Sequence, residues 1–437
     1  LGYLPEYRTG TGFRVTPDVA GIPTAFMAEW GDSGPVIAFL GEYDALSGLN
    51  QQSGALVCTP SVDSPGAAGH GCGHHLLGTS AHFAAVALQA HLRASGQKAR
   101  VRYYGCPAEE GGSGKTFMAR AGVFDDVDVA LTWHPASHSG VFSQSTLANI
   151  QAKFVFHGKA AHAAHSPHLG RSALDAVELM NVGVNYLREH MPPSARVHYA
   201  VTDTGGLSPN VVQARAEVLY LIRAVDNAGA AELYQRVQNV ARGAALMTDC
   251  RLDIVFDKAC SNLLPNTTLN QVLHARLLAE GPLTVEAEEH SRAGLFQGTL
   301  SASDIDAVSR PLSQVLRGQV PAVFEGVAPY DPNAQAVLPG STDVADVSWI
   351  TPTAQIWMAC FAFGTPMHSW QLVSQGKTGL AHAGMVRAAR VLAVTAIELI
   401  EQPQLIAQAR AELLERRKGQ PYVCPIPAEV PLPFKRG

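Results

Sequence analysis

The sequence predicts an α/β protein: a mostly parallel sheet with helices on both faces, interrupted by an inserted β-α-β-β-α-β module. Three observations lead there. Short apolar runs alternate with stretches of helical spacing between residues 36 and 133. Near residue 150 the rhythm changes to half-exposed strands around two helical stretches. After residue 266 helix and strand segments resume. The implied organisation is one α/β domain over residues 1–148 and 261–437, with the module over residues 149–260.

Each element has its own signal. Residues 36–40 are an apolar run that empties into Gly41-Glu42-Tyr43-Asp44, as a buried strand does into a loop. Residues 53–73, rich in Ser, Pro and Gly, read as loop. Residues 76–95 carry apolar side chains at helical spacing; 100–104 read as strand, 116–121 as a short helix and 127–133 as strand. Such alternation implies parallel strands, whose ligands bind beyond the strands' carboxyl ends. In the module, residues 150–156 alternate like a half-exposed strand, and Leu174, Val177, Met180, Val184 and Leu187 form one helix stripe. Residues 197–202 and 214–222 read as strands, 232–247 as helix and 252–256 as strand.

Composition excludes several classes. Of 437 residues, 47% are hydrophobic and 16% charged, which supplies a sizeable core and excludes disorder. No run approaches the ~20 apolar residues of a bilayer-spanning helix, so no membrane partner is expected. The net charge is −5 and no Lys/Arg block occurs, so neither is nucleic acid. Seven scattered cysteines, an odd number, argue against a disulfide framework and for a reducing, cytoplasmic compartment. Residues 1–6 lack signal-peptide character.

The 17 histidines are the compositional oddity, and some of them cluster with other metal-binding residue types. His70-Gly71-Cys72-Gly73-His74-His75 joins thiol and imidazole, the usual ligands of borderline metals, with glycines that let a loop fold onto one point. Taken alone, it reads equally as a loop with buried histidines. Pro107 to Thr116 ends like a phosphate-binding loop, but Glu109 stands where that motif needs glycine. Glu109 and Glu110 diverge as neighbours at a strand end. One can ligate a metal while the other faces its water; the bland alternative is a solvated acidic turn. Trp133-His134-Pro135 and Pro366-Met367-His368 place two more imidazoles at strand ends, where a lone histidine is more often structural. Together these segments offer one thiolate, one carboxylate and three imidazoles, enough for two metals ~3.5–4 Å apart.

These motifs resemble the di-metal aminoacylase/carboxypeptidase family, in particular the branch of aminobenzoyl-glutamate hydrolases and indole-acetyl-amino-acid hydrolases. The likeness spans essentially the whole chain. Its carriers are residues 41–46, 71–74 and 107–115, Thr132-Trp133-His134-Pro135, Ala161-His162-Ala163-Ala164, Ser208-Pro209-Asn210-Val211-Val212 and residues 364–368. The resemblance implies that Cys72 is shared by two metals, with His74, Glu110, His134 and His368 as the other ligands. It implies Glu109 as general base and Asp44 as an acid beside the metals. His162 and Asn210 match residues of the inserted lid or dimerisation module that reach a neighbouring active site and polarise the scissile carbonyl, and Arg223 matches a binder of the substrate carboxylate. Two departures stand out: His75 occupies a position where the family carries Asp or Asn, and the family's N-terminal helical segment is largely absent.

The expectation is therefore a metallo-amidohydrolase with two divalent cations per subunit, Mn²⁺ or Zn²⁺. Its substrate is a small N-acyl amino acid with an aromatic acyl group, such as aminobenzoyl-glutamate. The chain works as a homodimer or as a heteromer with a related subunit. Two rival readings are deamination of an aminobenzoate-type ring by the same centre, hinted at by His75, and a non-catalytic subunit of a hetero-oligomer.

Overall fold

Residues 36–42 are buried at every position, which suits a strand inside a parallel sheet covered on both faces. The computed structural model describes residues 12–62 and 66–432 and resolves them into two compact units. The first unit comprises the described residues up to Gln144, Leu264–Ala336 and Val347–Tyr422. It contributes strands β1 (Arg14–Pro17), β2 (Phe26–Trp30), β3 (Val36–Glu42), β4 (Arg100–Cys106), β5 (Val129–Ala136) and β6 (Gly140–Phe142). Helices α1 (His74–Ser95), α2 (Glu109–Gly112) and α3 (Gly114–Arg120) lie between them.

The second unit comprises Ser145–Leu263, Val337–Asp346 and the described residues from Val423 on. After β7 (Ser145–Thr146), its chain runs β8 (Ala148–His157), α4 (Ala173–Leu187), β9 (Arg196–Asp203), β10 (Arg215–Ala224), α5 (Asn227–Thr248) and β11 (Arg251–Cys260). The four longer strands form an antiparallel sheet in the order β11-β8-β10-β9. Its core joins Phe154, Phe156, Val218 and Tyr220 to Val177, Met180 and Val184 of α4 and to Leu233 and Val237 of α5. Helix α5 starts at Asn227, earlier than apolar spacing alone indicates, because the Asp226 side chain accepts the Gly229 N–H and caps the first turn. A short strand, β12 (Val337–Leu338), pairs with β7 in parallel.

In the first unit, α6 (Thr267–Ala279), β13 (Thr353–Ala359) and α7 (Gly379–Glu401) complete the layers. The seven-stranded sheet runs β1-β2-β4-β3-β5-β13-β6. Its centre, β4-β3-β5-β13, is parallel, while β1, β2 and β6 add antiparallel flanks. Sequence periodicity finds β3, β4 and β5, gives no bounds for β13, and passes over the flanks, which are short or mixed in burial and lack a sustained period. Ile37, Phe39, Val101, Tyr103, Leu131, Trp133 and Ile356 face one side, where residues of α1, α6 and α7 close the core. Strand alternation turns Leu40, Glu42, Tyr104, Thr132 and His134 to the other side. There Tyr104 meets Phe124 edge-on at 5.0 Å. Among the described residues no helix is long and apolar enough to cross a membrane, and the seven cysteines form no disulfide.

One buried ion pair ties the antiparallel flank to the parallel centre. Arg102 of β4 faces Glu29 of β2 in register, at 2.5 Å, and extends its other nitrogens to Asp126. Arg102 and Glu29 are both buried, and the other partner of Glu29, Arg14, is exposed, so removing Arg102 leaves Glu29 held only from the solvent side. Arg102→Met is expected to cost about 1–3 kcal/mol of stability, read as a lowered urea midpoint. An unchanged midpoint would show the pair to be energetically neutral.

Candidate metal centre

The loops at the carboxyl edge of the parallel strands bring the chemistry together. Strand β3 ends on Glu42 with Asp44 just beyond; β4 leads through Pro107 and Ala108 into Glu109 and Glu110; β5 carries His134; and the segment after β13 carries His368. Cys72 and His74 stand at the start of α1 around Gly73, whose φ of 72° places it in the left-handed region. A side chain at Gly73 would press on Phe361 and Pro135 at 3.1 Å, and one at Gly114 would lie 2.0 Å from the Pro107 carbonyl oxygen. Three non-glycine residues around the site are also left-handed: Ala108 (φ 61°), Ser113 (φ 52°) and His368 (φ 59°). Strained backbone of this kind gathers where side-chain placement overrides local preference.

Two sets of donor atoms result. Cys72, His74 and His134 form one, and Cys72, Glu110 and His368 the other; within each, the atoms lie within 4.8 Å of one another. The sets meet at the Cys72 sulfur. His368 Nε2 is 3.0 Å from that Sγ and 3.4 Å from Glu110 Oε2. Asp44 sits behind the donors: its Oδ1 is 3.2 Å from His74 Nδ1, and its Oδ2 accepts the Glu110 backbone N–H at 3.0 Å. A carboxylate on the far nitrogen of a ligating histidine fixes the tautomer and turns the other nitrogen to the metal. That nitrogen, His74 Nε2, is buried and makes no hydrogen bond among the described residues. The donor set suits a divalent metal cation.

The electrostatics agree with that fit. Burial alone would depress His74, but Asp44, Glu42 and Glu109 outweigh it and raise its pKa to about 9. Burial, joined by the charge on His74, pushes His134 down to about 4. Burial raises the Asp44 and Glu110 carboxyls, yet His74 on the first and His368 with Cys72 on the second hold both below the usual range. Burial and three carboxylates, those of Glu110, Glu109 and Glu42, push the Cys72 thiol far above its ordinary value. Ionising that sulfur therefore calls for a cation beside it.

Two residues outside the expected set belong to this cluster. Glu42, 3% exposed, places Oε1 2.7 Å from Lys115 Nζ and Oε2 3.2 Å from His74 Nε2. With His74 and Glu109 it forms a third group of donors within 4.8 Å. Burial works against its charge, but Lys115, His74 and His134 keep its carboxyl below the usual range. The signal that could mark Glu42 is its place as the last residue of a buried strand, two positions before Asp44. Lys115 was legible only as part of a failed phosphate motif. His75 takes no part in these groups: its Nε2 meets the Gly376 carbonyl at 2.7 Å, its ring lies 4.7 Å from that of His70, and burial holds it near pKa 4.

The remaining expected residues lie in the second unit. His162 and Val211 form a bridge, and Ala163 N–H donates to the Asn210 carbonyl, so His162 and Asn210 share one end of that sheet. Both are exposed. Arg223 sits at the far end of β10, opposite Asn149, where its Nη1 donates to Ser341 Oγ at 2.7 Å. From Arg215 to Arg223 the strand spans roughly 26 Å. His162 with Asn210 and Arg223 therefore do not meet within that unit.

Comparisons with known proteins agree with this architecture. A p-aminobenzoyl-glutamate hydrolase chain of Escherichia coli (strain K12) is 52% identical over 99% of this chain and 92% of its own length. A Xaa-Arg dipeptidase of Mus musculus is 30% identical over 90% of this chain and 78% of its own length. Among solved structures, a dinuclear metal-binding peptidase of the M20 family from Bacillus subtilis shares the fold, with a TM-score of 0.52 at 18% identity over 90% of each chain. The profile of peptidase family M20/M25/M40 matches residues 38–394, and the chain belongs to that family, as a hydrolase acting on amide bonds.

Proposed function

We propose that this protein is a two-metal amidohydrolase that releases glutamate from p-aminobenzoyl-glutamate or a closely similar N-aroyl amino acid. The observation that carries the reading is the pair of donor sets sharing Cys72, with Glu109 beside them. The substrate assignment rests on the 52%-identical relative, one chain of a p-aminobenzoyl-glutamate hydrolase. Two divalent cations, Mn²⁺ or Zn²⁺, would polarise the scissile carbonyl and bring water's pKa to about 7. Cys72, His74 and His134 would hold one, and Cys72, Glu110 and His368 the other. Asp44 keeps the His74 ring in place. Glu109 takes the proton from the attacking water and hands it to the departing amine.

The second unit supplies the binding groups in this reading. Arg223 is a planar clamp suited to the substrate carboxylate. His162 and Asn210 donate to the carbonyl oxygen as charge develops on it, in the active site of a neighbouring subunit. Features of the second unit support a dimer. Strand β9 lies at the sheet edge and is exposed along most of its length. Helix α4 exposes Leu179, Val182 and Tyr186 at helical spacing. Arg188, at the end of α4, stacks over Tyr199 of β9 and donates to the Val197 carbonyl, so the apolar stripe and the open edge adjoin. An unprotected edge beside apolar side chains fits pairing with a second chain of the same fold.

Four measurements test this reading. Chelated protein should release no p-aminobenzoate and glutamate from p-aminobenzoyl-glutamate, and Mn²⁺ or Zn²⁺ should restore release. Glu109→Gln should keep its metal while kcat falls by about 10²–10⁴-fold; full activity of either the chelated enzyme or the variant sinks the mechanism. Because the Cys72 thiol and His74, at about pKa 9, are protonated at neutral pH, metal uptake must displace protons and tighten as pH rises toward 9. Calorimetry in buffers of different ionisation enthalpy should count at least one proton released, and a count of zero contradicts the ligand set. Light scattering should report a dimer that Tyr186→Glu weakens. A monomer inactive until a related chain is added would make this one component of a heteromer.

A further inference from the structure

Glu42 and Lys115 are buried ionisable residues that the proposed mechanism leaves unused. Lys115 is fully buried and Glu42 nearly so. A plain reading makes them a structural ion pair, but that accounts for only half of the carboxylate. Lys115 engages Oε1 at 2.7 Å, while Oε2 turns to the donor cluster, 3.2 Å from His74 Nε2. Those two atoms are close enough to hydrogen-bond, yet the ring's N–H direction misses Oε2, and Nε2 makes no hydrogen bond among the described residues. Two buried polar atoms at this distance, facing a shared space without bonding each other, are placed as two ligands of one ion are placed.

The spacing fits that arrangement. Ligands about 2.1 Å from one cation lie about 3.0 Å apart at a right angle and about 3.4 Å apart at the tetrahedral angle. The separations His368 Nε2–Cys72 Sγ, 3.0 Å, and His368 Nε2–Glu110 Oε2, 3.4 Å, bracket the 3.2 Å between Glu42 and His74. We propose that Glu42 Oε2 is a further ligand of the cation at His74, approached from the Glu42–His74–Glu109 side of the cluster, and that Lys115 is a positioning residue that occupies Oε1 and keeps Glu42 monodentate. The inference rests on the two-metal reading above.

The test counts metal as well as turnover. Wild-type protein, stripped and titrated with Zn²⁺ against a competing chelator, should bind two equivalents; binding none overturns the two-metal reading itself. With two bound by the wild type, Glu42→Ala should weaken one equivalent by at least about 100-fold and leave the other unchanged. If the stranded Lys115 prevents folding, the double variant Glu42→Ala/Lys115→Met removes both charges and should show the same split. In crystals of Zn²⁺-loaded wild type, an anomalous peak should lie about 2.0–2.2 Å from Oε2. Two equivalents of wild-type affinity in the variant, or a peak more than about 3 Å from Oε2, overturns the assignment of Glu42 while leaving the two-metal reading intact.

Discussion

Ionisable groups withdrawn from water need partners, and the carboxyl edge of the parallel sheet is organised around that requirement. An unpaired charge in such a place costs several kcal/mol, so each is met. Lys115 answers Glu42, Glu42 and Asp44 together answer His74, and His368 answers Glu110. Cys72 is different. Its ionised form would face carboxylates from several sides, so the protein by itself keeps the thiol protonated. A site that balances its acids and bases yet withholds ionisation from its central sulfur is built for an added positive charge. The proposed metal chemistry begins from that imbalance.

The backbone shows the same priority. Left-handed conformations at Ala108, Ser113 and His368 cost on the order of 1–3 kcal/mol each, and they flank the segments that deliver Glu109, Glu110 and the His368 imidazole. Local bonds hold them. His368 N–H donates to the Gly71 carbonyl at 2.9 Å, binding the last donor loop to the first, and the missing side chain of Gly114 lets α3 start against Pro107. Below this strained layer the α1, α6 and α7 face of the sheet is apolar and closely packed, giving the loops a rigid base.

The second unit separates the proposed binding groups, Arg223 and the His162–Asn210 pair, by the length of a strand. In a single chain that would scatter the residues meant for one small substrate. In a dimer, one chain's Arg223 and its neighbour's His162 and Asn210 can serve the same molecule. The proposed assembly is thus part of the proposed chemistry, and the open β9 edge beside the apolar stripe of α4 gives it a physical basis.

Much of this was legible in the chain. Apolar periodicity located β3, β4, β5, α1 and the strands and helices of the inserted module, because buried strands and amphipathic helices impose their period directly on the residues. Past residue 266 it showed only that helix and strand resume. The Cys72–His74 spacing, the paired Glu109–Glu110 and the histidines at strand ends marked the donors, since few other residue types bind such metals. The antiparallel flanks, the role of Glu42 and the burial of Lys115 were not legible. A short edge strand carries too little period to register, and Lys115 in a glycine-rich stretch looks the same whether it meets phosphate or carboxylate. The order of residues alone specifies which donor types the chain carries and which strands form its frame. Which acid faces which imidazole is set in three dimensions, because pairing between residues as distant as Glu42 and Lys115 depends on how strands stack and loops close in space.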